Sequence, residues 1–129
     1  MALLNTNKAT ATVAAAAETA IVVSPIDSST NESGNGCIIF GTIASGTASA
    51  AGTAAIVTIR QGSGTSGTVV GTFTQTQATG STACVSFCAY DAAPLTSQQY
   101  TATLTYTANA TSLTVTGTIN VLNPAGVLD

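Results

Sequence analysis

The chain has no histidine and no tryptophan, and only two bases, Lys8 and Arg60, against five acids in 129 residues. Charged residues make up 5% of it, where an ordinary soluble domain carries about a quarter. Each absence excludes a class of function. Without histidine, nucleophilic catalysis by a Ser/His/Asp or Cys/His set is ruled out in its usual form. Two bases cannot neutralise the several phosphates that nucleic-acid binding requires, nor draw the chain to an anionic lipid surface. No apolar run approaches the roughly 18 residues of a membrane span. Nucleic acid and membrane are therefore not expected partners, and the chain reads as a non-enzyme without catalytic residues, cofactor or metal.

The few acids reinforce this. Glu18, Asp27, Glu32 and Asp91 stand in no spacing that suggests paired carboxylates. Asp27 and Glu32 share one Asn/Ser-rich segment but lack the ordered spacing of a calcium loop. The sequons at Asn31 and Asn109 matter only on a secretory route. Met1 to Lys8 lacks a basic stretch followed by an apolar one, so synthesis and assembly in a cytosol are expected. Arg60, the only arginine, is expected to pair with an acid or a carbonyl.

Three cysteines are present. On a strand, Cys84 and Cys88 lie about 13 Å apart, too far for the roughly 7 Å reach of a disulfide. Cys37 can bridge only one of them, and neither a histidine nor a fourth thiol completes a metal site. Small buried hydrophobes are the expected role of all three.

Thr, Ala, Gly and Ser replace the missing charge. Leu, Ile, Val and Phe make up about 22% of the chain, just above the ~20% level below which disorder is expected. The core is thin, but net charge is only −3 and a folded domain follows. Tyr100-Thr101-Ala102-Thr103-Leu104-Thr105-Tyr106-Thr107 alternates strictly, and Leu113 to Val121 repeats the pattern. The link Ala108 to Ser112 predicts an antiparallel hairpin with threonines on its wet face. Ala55 to Arg60, a Gly/Ser turn and Thr68 to Thr74 predict a second hairpin. Further strands are expected at Thr19–Ser24, Cys37–Ile43 and Ala83–Tyr90, with an edge strand at Thr10–Val13. Seven or eight short antiparallel strands with turn signals every 8 to 12 residues predict an all-β jelly-roll β-sandwich. The domain spans 18–122, between an N-terminal arm over 1–17 that orders on a neighbour and a tail over 123–129.

Two strands are apolar on both faces: Cys37 to Ile43 and Cys84 to Tyr90. A sandwich core covers only one face of a strand, so the other must meet something else. Cys37, Ile39, Phe40, Phe87, Cys88 and Tyr90 are the residues expected at a subunit interface, most simply around a three-fold axis. Burial under the long loops is the alternative.

Glu18-Thr19-Ala20-Ile21-Val22-Val23, Val57-Thr58-Ile59-Arg60-Gln61-Gly62 with Gly67-Thr68-Val69-Val70-Gly71, Gln99-Tyr100-Thr101 and Ile119-Asn120-Val121-Leu122 resemble small tailed-phage virion proteins of the capsid decoration type. The resemblance covers roughly residues 18 to 122, and Gln61 stands where that pattern has a second base. It implies a tumour-necrosis-factor-like jelly roll, often a homotrimer, that binds the major capsid protein on the outside of a phage head. It brings no catalytic residues. The expected location is the virion surface, after assembly in the host cytoplasm. A fibre module adhering to a host glycan or protein, and a secreted binding module, are the competing expectations.

Overall fold

The computed structural model describes residues 3–14, 17–25, 36–44, 53–78, 80–82, 84–94, 98–107 and 113–123. They form eight strands: β1 (Leu3–Val13), β2 (Thr19–Val23), β3 (Cys37–Ala44), β4 (Thr53–Gln61), β5 (Val69–Gln77), β6 (Cys84–Asp91), β7 (Tyr100–Tyr106) and β8 (Leu113–Asn123). Four pair in the order β1-β8-β3-β6 and four in the order β2-β7-β4-β5, and every pairing is antiparallel. Only β4 and β5 are consecutive strands within one sheet; every other connection crosses between sheets. This crossing pattern is that of a jelly roll.

The β4–β5 hairpin is where the Gly/Ser turn predicts it. Gly62, at φ 86°, takes a backbone conformation that side-chain-bearing residues rarely adopt. The C-terminal hairpin is different. Leu113–Asn123 does not pair with Tyr100–Tyr106; β8 lies between β1 and β3, and β7 lies between β2 and β4. Alternation specifies two unlike faces for each strand, and a crossing between sheets satisfies it as well as a turn does.

The N-terminal segment is also different from expectation. Leu3–Val13 is no arm awaiting a neighbour: it pairs along its whole length with β8, from Leu3↔Asn123 to Val13↔Leu113. Its Thr/Ala/Asn composition conceals a strand because only Val13 of its described side chains is fully buried. The expected strand at Thr10–Val13 is its last part.

Inward positions of the two sheets make one core. β3 contributes Cys37, Ile39 and Ile43; β6 contributes Val85, Phe87 and Ala89; β8 contributes Val115, Ile119 and Val121. Opposite them lie Ala55, Val57 and Ile59 of β4 and Tyr100, Ala102, Leu104 and Tyr106 of β7. Each fully buried Val, Leu, Ile or Phe is worth about 1.5–3 kcal/mol of transfer free energy. Phe73 and Phe87 bridge the sheets with ring centroids 6.3 Å apart. Gly117 occupies an inward position because the space is taken: a Cβ there would lie 2.7 Å from Ile43 and 2.9 Å from Ile21.

The threonines of β7 are not a wet face. Thr101 and Thr103 are fully buried and Thr105 is half-buried; Thr107, just past the end of the strand, is exposed. Thr101 donates to the Gly62 carbonyl at 2.6 Å and accepts from the Gly64 amide at 3.1 Å. The single Thr103 hydroxyl proton is shared between Glu18 at 2.8 Å and the Thr58 carbonyl at 3.2 Å. The turn after β4 and the residue before β2 thus cover the outside of β7. A hydroxyl lets threonine be buried there, because its polar atom finds partners.

Candidate interaction surface

Sheet register assembles the outward face of β1-β8-β3-β6 row by row. Ile38 lies between Leu122 and Tyr90, Phe40 between Asn120 and Cys88, and Thr42 between Thr118 and Ser86. Side chains in a row stand roughly 5 Å apart, close enough to form a continuous surface. The face divides in two. One end is apolar, with Ile38, Phe40 and Leu122 half-buried and Cys88 and Tyr90 exposed. The other end is hydroxylic: Thr42 and Thr118 hydroxyls meet at 3.1 Å, and those of Thr10 and Thr116 at 3.2 Å.

Tyr90 is 61% exposed, the most exposed large hydrophobic side chain among the described residues. Its ring lies against Gly36, where an added Cβ would collide with the ring and its hydroxyl. Glycine at that position lets the ring lie on backbone rather than turn away from the sheet.

The six residues expected at an interface are split by the pleat of their strands. Cys37, Ile39 and Phe87 point inward and belong to the core, with exposures of 0%, 0% and 3%. Phe40, Cys88 and Tyr90 point outward and lie together. The correction is one of parity: successive side chains of a strand point to opposite faces, so Ile39 and Phe40 cannot share a surface. Ile38 and Leu122 complete the outward patch. Ile38 shares Phe40's parity and was legible in the sequence, but Leu122 joins only through the β3–β8 register.

Cys84 and Cys88 also depart from expectation. Both are exposed free thiols, on the outward parity of β6, while Cys37 is buried as expected. Burial pushes the Cys37 thiol upward in pKa, which makes it a poor nucleophile.

Two polar clusters brace the sandwich. Arg60 holds Glu18 with two charge-assisted hydrogen bonds and donates to the Gly67 carbonyl at 2.8 Å. It therefore meets both an acid and a carbonyl. These bonds hold the Glu18 carboxyl below its ordinary range, against an opposing effect of burial. The second cluster centres on Asp91, which is 9% exposed. It accepts from the Tyr100 hydroxyl and the Gln61 amide, each at 2.8 Å, and from the Ala93 amide at 3.1 Å. Burial first, and then the bond to Asp91, push the Tyr100 hydroxyl far above its usual pKa. The Asp27 and Glu32 segment and both sequons lie outside the described residues.

No protein-family model matches this chain, and no curated protein matches it. Solved structures do. A chain in the structure of infectious bursal disease virus, Gx strain, superposes with a TM-score of 0.64 at 14% identity, over 99% of this chain and 34% of that one. The VP2 subviral particle of the same virus gives 0.63 at 15% identity, over 95% of this chain and 33% of the other. This chain therefore spans about a third of the length of those viral chains. At such identities the likeness shows the fold, an eight-stranded antiparallel β-sandwich shared with proteins of viral particles.

Proposed function

We propose that this chain is a non-enzymatic structural protein of a virus particle, a decoration protein that binds and stabilises the outer surface of a phage head. The observation that carries this reading is the strand order β1-β8-β3-β6 over β2-β7-β4-β5, a sandwich like those of chains from infectious bursal disease virus. Composition supports it. Burying charge is what makes desolvation costly, and a surface with few charges forms many shallow contacts cheaply. On a lattice, copy number multiplies such contacts.

The partners in this reading are copies of the chain itself, as a homotrimer, and the major capsid protein. The apolar end of the outward face, with Phe40 and Tyr90, supplies contact area. Assembly takes place in the host cytoplasm and the finished location is the capsid surface.

Quantitative mass spectrometry of particles purified from a producing culture tests the reading. The expected result is co-sedimentation in copy numbers comparable to those of the major capsid protein. A handful of copies per particle would overturn decoration in favour of an adhesive fibre module. Absence from every particle would overturn the virion role.

A further inference from the structure

Four strands lie at the edges of the two sheets, and three of them carry a feature that discourages pairing with another chain. β1 carries Lys8. β2 bulges between Ala20 and Val22. In β5 the ladder shifts where Ile59↔Gly71 gives way to Arg60↔Val69. Charges, Pro and bulges are the usual means by which proteins blunt a sheet edge. β6 has none of these along its length. Its ladder to β3 runs from Cys37↔Asp91 to Ala44↔Cys84 without a shift. Its sequence, Cys-Val-Ser-Phe-Cys-Ala-Tyr-Asp, holds no Lys, Arg or Pro. Its one charge, Asp91, lies at the end of the strand, turned inward and hydrogen-bonded. Among the described residues its backbone forms no hydrogen bond outside the ladder to β3.

We propose that the edge of β6 that is unpaired among the described residues pairs antiparallel with β6 of a second copy, joining two four-stranded sheets across a two-fold axis. An antiparallel pair of identical strands is self-complementary, so the second copy needs no other surface than the one described. Its outward side chains, Cys84, Ser86, Cys88 and Tyr90, are exposed and uncharged. They meet without electrostatic repulsion, and the half-buried Phe40 and Ile38 extend the apolar surface behind them. Backbone hydrogen bonds supply the affinity, as in other cases of strand addition. The pairing joins copies in twos. It does not depend on the virion reading, and a three-fold unit would form through surfaces other than the β6 edge.

Two registers keep nearly all of β6 paired, one centred on Phe87 and one on Cys88. In either, the two Cys88 residues lie opposite each other or on a diagonal, with Cα atoms about 5 to 8 Å apart. The two Cys84 residues lie far apart at opposite ends of the seam. The native thiols therefore report the geometry.

The test combines native mass spectrometry across micromolar concentrations with a short bis-maleimide, whose two double bonds each add one thiol. The expected results are a concentration-dependent dimer and a cross-link joining Cys88 to Cys88, lost in Cys88→Ser. Ser86→Lys places two positive charges at the seam and is expected to raise the dimer dissociation constant at least about tenfold. Its circular dichroism should remain native because Ser86 is exposed. Thr74→Lys, outward on β5, is expected to leave the dimer intact. A monomer at every concentration, a trimer with no even-numbered species beside it, a dimer indifferent to Ser86→Lys, or a cross-link between two Cys84 residues would each overturn the pairing. None of these outcomes affects co-sedimentation with particles, so failure here is distinct from failure of the decoration role.

Discussion

Arg60 holds Glu18 side-on, Nε to one carboxylate oxygen at 2.6 Å and a terminal nitrogen to the other at 2.8 Å. The pair ties the end of β4 to the residue that precedes β2, over the buried Thr103. Two parallel bonds give geometric specificity that a lysine cannot reproduce.

The first prediction concerns acid. Glu18 has a folded pKa below its ordinary value of 4.5. Its contribution is therefore fully present above the unfolded pKa and is lost as pH falls through the depressed folded value. Thermal melts from pH 7 down to pH 2 should show a lower Tm in acid, and Glu18→Gln should flatten that part of the profile. Arg60→Lys should lower Tm at pH 7 and speed amide exchange at Gly62 to Thr68.

Tyr100 gives the alkaline counterpart. Its pKa is raised in the fold, so its contribution is complete below the unfolded value of about 10 and declines as pH rises above it. Absorbance titration should show Tyr100 ionising only on unfolding. Tyr100→Phe removes one of the donors to a buried carboxylate and should cost about 1–3 kcal/mol in urea denaturation.

The threonines should separate by environment. Thr103→Val conserves shape but removes the one hydroxyl proton that Glu18 and the Thr58 carbonyl share, at a cost of about 1–2 kcal/mol. Thr114→Val, on an exposed position of β8, should stay within about 0.5 kcal/mol of the parent. Equal effects in denaturant titration would refute the assignment of a buried outer face to β7.

The two parities of β3 and β6 should behave as differently. Phe87→Ala opens a cavity in the core and should cost about 3–5 kcal/mol. Phe40→Glu should leave the melting transition close to the parent's while weakening association in sedimentation. If Phe40→Glu unfolds the chain instead, the outward patch is part of its core.

Local pattern by itself determined that this chain is an antiparallel β-sandwich. Alternation at Tyr100–Tyr106 and Leu113–Val121, the Gly/Ser turn after Arg60 and the shortage of charge all act over a few residues, so they are legible without a fold. Arg60 was legible in the same way, since a lone guanidinium beside a turn must find an acceptor. Only the tertiary structure decided which strands are neighbours. The period of two says that Thr101 and Leu104 face opposite ways, yet not that a turn and Glu18 cover the threonine side. It separates Ile39 from Phe40, yet not which of them is inside. It marks Thr6 to Thr12 as polar, yet not that β8 provides a strand for them to pair with. Those outcomes depend on crossings between sheets, which join residues as distant as Leu3 and Asn123. A contact of that span is selected by the closure of the whole core, not by any sequence signal at either end.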